Sequence, residues 1–220
     1  MTTLSTLRAR IRRKLDEESA GFWSDAELDD YINEGYLEFW KQAVQGQYYK
    51  TQKTSLLNTV SGTAEISLPS DFLKFRLVEK VLPDRTVPLE YRSRFEQTNR
   101  TSGYGSTAYS LYTYDVIGSN LVLEPTPQVS ETGGIKATYF YTPTRLSADS
   151  DEHDLGSIHD ALLVAYACVQ AKEKEEAIGN TGVDLAPFVR TLMKCEQVFK
   201  EEVESATVQR FYAQPFTTGV

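Results

Sequence analysis

The sequence predicts an α+β fold: a four-helix bundle that is split in sequence by an inserted antiparallel β domain and followed by an extended C-terminal tail. Apolar residues recur at steps of three and four near both ends of the chain, whereas the middle has a period of two. Two separate helical pairs would each be too small to bury their apolar stripes, which favours one bundle. The predicted boundaries are 1–50 for two helices, 51–146 for the β domain, 147–206 for two more helices and 207–220 for the tail.

Length and composition predict a folded protein with a net negative charge. The chain has 220 residues and a formal net charge of −8, which argues against a dedicated nucleic-acid binder because such proteins rely on cationic contacts with phosphates. No apolar run approaches the length of a membrane span, so we expect no membrane contact. Cys168 and Cys195 are too few for a disulfide scaffold, and their apolar surroundings predict buried free thiols.

The stretch from Phe22 to Trp40 gives the clearest helix prediction. Ser24 and Glu27 have the spacing of a capping box, and Trp23 and Leu28 can close a hydrophobic staple around it. Apolar residues then follow on one wide face as far as Ala43, so other helices must cover this face.

A shorter helix, rich in arginine, is predicted over residues 3–17. The cations on its polar side are Arg8, Arg10, Arg12, Arg13 and Lys14. They indicate either a partner surface or a solvated face whose arginine stems lie over the edge of the core.

The middle of the chain contains six to seven short predicted strands, a number typical of a small sandwich or barrel. The clearest hairpin turns at Gly118-Ser119-Asn120. Helical signals return at Ser157 and Asp160, which have capping-box spacing, and the run that follows is apolar on nearly every face. A fourth helix is predicted from about Asp184.

Residues 206–220 do not match a helical pattern. Phe211, Tyr212 and Phe216 are apolar anchors on a polar segment that contains Pro215. Such aromatic side chains are favoured at interfaces, which indicates a partner groove; packing back onto the same chain is the alternative.

The sequence contains no pattern of catalytic, cofactor-binding or metal-binding residues, so we expect no enzyme activity and no cofactor. His153 and His159 are interpreted as structural because no nucleophile or paired base accompanies them. The acidic loop 149–154 lacks the EF-hand order, and is either a cation site or a solvated loop before a helix.

Four stretches together resemble the head–tail adaptor (connector) proteins of tailed bacteriophages. In order, they are FWSDAELDDYINEGYLEFW, LPSDFLKF, LVLEPTP and YFYTPTRLSADSDEHDLGSIHDALLVAYA. Their order and spacing match along nearly the whole chain. The resemblance implies a structural virion protein, assembled in the host cytoplasm and located at the portal vertex. There it forms a dodecameric ring that joins the portal to the tail and surrounds a channel for double-stranded DNA.

The resemblance also implies partners. The C-terminal segment docks on the portal in that family, and here the matching residues are Arg210, Phe211, Tyr212, Pro215 and Phe216. The β domain is expected to face outward or toward a tail nozzle or hub protein or tail fibres. Charge pairing between neighbouring subunits is assigned to Arg8, Arg10, Arg12, Arg13, Glu201 and Glu202. DNA would pass without specific binding. A virion-associated cell-wall hydrolase and a generic interaction module are the alternatives.

Overall fold

The structure, a computed structural model, describes residues 2–17, 21–93, 112–179 and 184–212, the stretch 206–212 by its backbone path only. Its helices are α1 (Leu4–Leu15), α2 (Asp25–Gln45), α3 (Asp160–Ala177) and α4 (Ala186–Tyr212). Its strands are β1 (Gln52–Thr59), β2 (Glu65–Ser67), β3 (Phe72–Val81), β4 (Thr86–Pro88), β5 (Glu90–Tyr91), β6 (Thr113–Ile117), β7 (Asn120–Glu124) and β8 (Glu131–Tyr141). The chain divides into a helical unit, Met1–Thr51 with Pro143–Val220, and a β unit, Gln52–Thr142.

The two N-terminal helices begin at side-chain caps. Thr3 Oγ1 accepts a hydrogen bond from the Thr6 backbone N–H, and Ser24 Oγ accepts one from the Glu27 N–H at 3.2 Å. The second cap confirms the prediction for the stretch from Phe22 to Trp40. Trp23 and Leu28 on either side of it are both buried, as a hydrophobic staple requires.

The predicted four-helix bundle split by an inserted domain is wrong. The fold is α+β, with four described helices in the terminal parts of the chain and two sheets in the central part. Helix α3 is buried on nearly every side, and α1, α2 and α4 each pack on it, while α4 packs chiefly on α3 alone. A helix that is apolar on nearly every side is stable only where other elements cover it, which accounts for the central place of α3.

The predicted extended tail is also wrong in its first part, because α4 continues to Tyr212. Thr207 and Val208 are β-branched and have a lower helix propensity. Adding a residue to an existing helix, however, costs far less free energy than nucleating a new one. No proline or glycine interrupts the sequence until Pro215. Residues 213–220 lie outside the described part of the chain.

Helix α2 approaches α3 closely at Gly35. A Cβ atom at this position would lie 2.8 Å from Tyr166 Cδ1 on α3, closer than real carbon contacts allow. The glycine therefore sets the distance between these two helices. In the described part of the chain, no helix is both long enough and apolar enough to cross a membrane.

The β unit consists of two four-stranded sheets in the orders β1-β8-β3-β4 and β2-β7-β6-β5. The described strand pairs are antiparallel, except that β5 and β6 run parallel. The connection between β5 and β6 is long enough for the crossover that parallel strands require. The hairpin of β6 and β7 turns at Gly118 and Ser119, as predicted. The two sheets share one apolar core that includes Leu57, Val78, Leu121 and Ile135, which corresponds to a small sandwich.

Candidate interaction surfaces

Two of the arginines on α1 serve contacts inside the helical unit. Arg8 donates to both carboxylate oxygens of Asp29 on α2, at 2.8 and 2.7 Å, and to Asp149 at 3.0 Å. Arg12 is only 6% exposed; it donates to Asp25 at 2.6 Å and to the Trp23 carbonyl at 3.0 Å. Bidentate guanidinium–carboxylate pairs of this kind fix geometry as well as charge, so they hold α1 against α2.

The electrostatics of these pairs agree with their geometry. The hydrogen bond with Asp29 raises the pKa of Arg8 above its usual range, against the effect of burial. The hydrogen bond from Arg12 lowers the pKa of Asp25, again against burial. Arg8 and Asp25 therefore remain charged at neutral pH.

Arg10, Arg13 and Lys14 lie on the sides of α1 that turn away from these pairs. They line an open cleft of about 480 Å³, together with Asp160 and with serine, alanine and valine side chains of α3 and its leading turn. Arg13 and Lys14 are exposed and form no ion pair with the described residues, whereas Arg10 is paired with Asp160 at 2.8 Å. Ile158 at the edge of the cleft is 65% exposed. We call Arg10, Arg13, Lys14 and Ile158 the basic cleft.

Asp160 is the centre of a buried polar network at the start of α3. Its carboxylate accepts hydrogen bonds from the Thr2 hydroxyl and from Arg10, and it lies 2.9 Å from His153 Nε2. Burial alone would raise the pKa of Asp160, but these partners together lower it. The predicted capping box at Ser157 is wrong, because the first turn is a 3-10 turn and Asp160 bonds to other elements instead.

A second cluster of polar side chains connects the turn before α3 to α4. The Tyr48 hydroxyl donates to Glu202 at 2.5 Å, and His159 Nε2 lies 3.3 Å from the other oxygen of the same carboxylate. That nitrogen has no well-aligned hydrogen bond among the described residues, so it is near the charge without being bonded to it. The His159 ring also packs edge-on against Phe199, at 4.9 Å between centroids.

This arrangement predicts that the helical unit loses stability in mild acid. Burial lowers the pKa of His159, although Glu202 acts in the opposite direction. The unfolded chain, with an imidazole pKa of about 6.5, then binds more protons than the folded chain. The contribution to the free energy of unfolding is therefore full above this value and falls as the pH drops below it. His159→Gln should show a flatter dependence when unfolding is followed by tryptophan fluorescence.

The wild type and His159→Gln both retain His153, so the difference between their pH slopes isolates the effect of His159. The fluorescence reports on the helical unit alone, because the two tryptophans of the chain, Trp23 and Trp40, lie within it. Equal pH slopes for the wild type and His159→Gln would contradict the assignment.

The side of α2 that faces away from α1 is acidic. Glu34, Glu38 and the α3 residue Glu173 are exposed there, with Leu37 among them at 37% exposure. Burial, followed by the charges of these three carboxylates, raises the pKa of the Tyr166 hydroxyl between them. Lys41 forms an ion pair with Glu38 at 3.8 Å, and its side chain is largely exposed. We call Glu34, Leu37, Glu38 and Glu173 the acidic face.

The remaining predicted contact residues lie on or beyond α4. Glu201 is exposed and accepts a hydrogen bond from Gln197 at 2.7 Å, whereas Glu202 faces Tyr48 and His159 inside the unit. The residues predicted to dock on the portal divide into two groups: Arg210, Phe211 and Tyr212 are on the last turn of α4, and Pro215 and Phe216 lie outside the described residues.

The acidic loop 149–154 is organised by the chain itself. Asp149 pairs with Arg8, and Asp151 accepts from the Ser147 and Ala148 backbone N–H groups at 2.7 and 2.8 Å. No group of three or more potential metal ligands occurs among the residues that the structure describes. Burial raises the pKa of the Cys168 thiol to about 12, so it stays protonated, while Cys195 is half-buried instead of buried as predicted.

A family model described as the SU10 adaptor protein matches residues 2–213. The chain belongs to the SU10 adaptor protein family. This confirms the resemblance to phage head–tail adaptors that the four sequence stretches indicate. The adaptor is thus a structural protein of phage particles, and its family suggests contacts with other head or tail proteins. No curated protein matches the adaptor in a sequence search.

Sequence reasoning missed three features of the adaptor. It gave all the α1 arginines one role, while the structure separates Arg8 and Arg12 from the basic cleft. It overlooked Asn33, which is buried and exchanges two hydrogen bonds with the Leu146 backbone. It also overlooked the acidic face, although Glu34 and Glu38 lie one helical turn apart on the polar side of a strongly amphipathic helix, a signal that the sequence does contain.

Proposed function

We propose that this adaptor forms a ring, a dodecamer as the family resemblance implies, that joins the portal to the tail at the head–tail interface of the virion. The observation that carries the proposal is the family match, which spans residues 2–213 and so includes both the helical and the β units. A match over one unit alone would support only a shared module.

The helical unit has the surfaces that a closed ring requires. Cyclic assembly needs two different patches on each subunit, so that each copy contacts its neighbours head to tail. The basic cleft and the acidic face are two such patches of opposite charge on one unit. Complementary charges orient subunits as they meet and disfavour wrong registers.

The C-terminal segment is proposed to dock on the portal. Phe211, Tyr212 and Phe216 are the aromatic residues of this segment, and the first two lie on the last turn of α4. Aromatic side chains in pockets supply a large share of binding energy at interfaces. The β unit is then available to a tail nozzle or hub protein.

DNA is proposed to pass through the ring without specific binding. The net charge of −8 per subunit supports this, because a negative channel wall repels phosphates and lets the duplex slide. The ring would line the channel between the capsid and the tail.

Removing residues 213–220 tests the docking proposal. We expect the shortened adaptor to keep its folded tryptophan fluorescence but to bind the portal protein of the same phage at least about tenfold more weakly, because the loss of an aromatic hot spot costs about 2 kcal/mol or more. Sedimentation of the mixture with the portal measures this. A matched control is Phe22→Ala, which removes an aromatic side chain that is 47% exposed elsewhere on the unit. Unchanged portal binding by the shortened chain would contradict the docking role.

A further inference from the structure

Two cations of the basic cleft have no carboxylate partner in the part of the chain that the structure describes. Arg13 and Lys14 are exposed beside it without an ion pair to any described residue, and only Arg10 has one, with Asp160. The large apolar side chain of Ile158 stands at its rim, 65% exposed. A cleft that combines positive charge with an exposed aliphatic anchor fits an acidic surface that also carries an aliphatic side chain.

The acidic face has the matching composition and spacing. Glu34 and Glu38 lie one helical turn apart, as do Arg10 and Lys14 on α1, so the charges on each helix recur at about 5–6 Å. Leu37 lies between the two carboxylates at the surface, and Lys41 is the cation near Glu38.

The two surfaces point in different directions from one seam between α1 and α2. Arg8 and Arg12 face α2 and bind Asp29 and Asp25 there. At about 100° of rotation per residue, Arg10 and Lys14 lie on the far side of α1 from this seam. Glu34 and Glu38 lie on the far side of α2 by the same reasoning. One subunit can thus present both surfaces to two different neighbours.

We propose that the occupant of the basic cleft is the acidic face of a second copy of this chain, so that Arg10, Arg13, Lys14 and Ile158 of one copy contact Glu34, Leu37, Glu38 and Glu173 of the next. This inference rests on the proposed ring and names the residues that close it. It also removes Arg8, Arg12 and Glu202 from the interface, because their charges are used within the subunit.

Charge reversal with rescue tests the contact on full-length protein mixed with the portal protein of the same phage. Arg13→Glu with Lys14→Glu leaves a subunit that is acidic on both sides, and Glu34→Lys with Glu38→Lys leaves one that is basic on both sides. Each variant alone should assemble at least roughly a hundredfold more weakly, since like charges placed face to face cost several kcal/mol. An equimolar mixture of the two should assemble again in alternation, measured by sedimentation velocity.

Two control variants carry the same charge changes on the outer side of α4. Arg190→Glu with Lys194→Glu, and Glu196→Lys with Glu204→Lys, alter charged residues of α4 that belong to neither surface and should leave assembly unchanged. If the α1 and α2 variants assembled like the wild type, or if their mixture failed to recover, the contact would be overturned while the ring proposal stood. If the wild type formed no ring with the portal, the ring proposal itself would fail, and this contact with it.

Discussion

Replacing Asp160 by alanine is expected to destabilise the helical unit by about 2–4 kcal/mol, because its buried carboxylate accepts hydrogen bonds from distant elements and a bond to a charged group contributes about 1.5–3 kcal/mol. The carboxylate is 5% exposed and accepts from Thr2 and Arg10 while facing His153. Without it, the N-terminal residues lose their tie to α3, and His153 loses its nearest polar partner. Urea unfolding followed by the fluorescence of Trp23 and Trp40 measures the loss.

Asp149→Ala is the matched control for Asp160. The Asp149 side chain is 73% exposed and pairs with Arg8, which keeps its bonds to Asp29. Exposed pairs contribute at most about 1 kcal/mol, so this variant should unfold close to the wild type. If Asp160→Ala and Asp149→Ala lowered the free energy of unfolding equally, the stabilising role of the buried network would be contradicted.

Phe39→Ala is expected to cost about 3–5 kcal/mol, the range for truncating a buried aromatic side chain. Phe39 is 1% exposed on α2, and its ring lies 5.8 Å from those of Tyr166 on α3 and Phe199 on α4. The variant leaves a cavity where three helices meet, and the same fluorescence experiment reports it.

Phe22→Ala serves as the comparison for Phe39. It removes the same side chain from a position that is 47% exposed. The expected loss is below about 1 kcal/mol, because little apolar area leaves the core. A Phe39 variant as stable as the Phe22 variant would contradict the three-helix contact.

Local features of the fold could be predicted because neighbouring residues determine them. Ser24 caps α2 because Glu27 offers a free N–H three residues on, and the apolar stripe that follows is read directly from spacing. The turn at Gly118 and Ser119 is likewise a property of its own residues and the strands beside it.

Arrangement in space was harder to predict, because it depends on residues far apart in the chain. Asp160 has the spacing of a capping residue, yet its partners include Thr2 and Arg10 at the other end of the sequence. The spacing of apolar residues predicts helix α1 and its buried side, but it does not predict whether Arg8 contacts solvent or Asp29. The end of α4 was missed because β-branched residues weaken a helix locally without stopping one that is already formed.

The candidate surfaces were likewise predicted where they depend on neighbouring residues and missed where they depend on the fold. The sequence predicted that α1 carries charges for a neighbouring copy, and in the structure Arg13 and Lys14 are exposed and form no ion pair with the described residues. Glu202 was chosen as a partner by its position in an acidic run, but Tyr48 and His159 lie against it. The spacing of Glu34 and Glu38 on α2 is visible in the sequence, but only the fold brings Glu173 of α3 to the same face.

The mass of the complex between the wild-type adaptor and the portal protein of the same phage tests the central claim most directly. Native mass spectrometry of the portal with and without the adaptor gives the number of copies added. A closed ring predicts that the adaptor adds as a complete set, one copy for each portal subunit, with no stable intermediate. Addition of a single copy, of a variable number, or of none would contradict the proposal that this adaptor joins the portal to the tail as a ring.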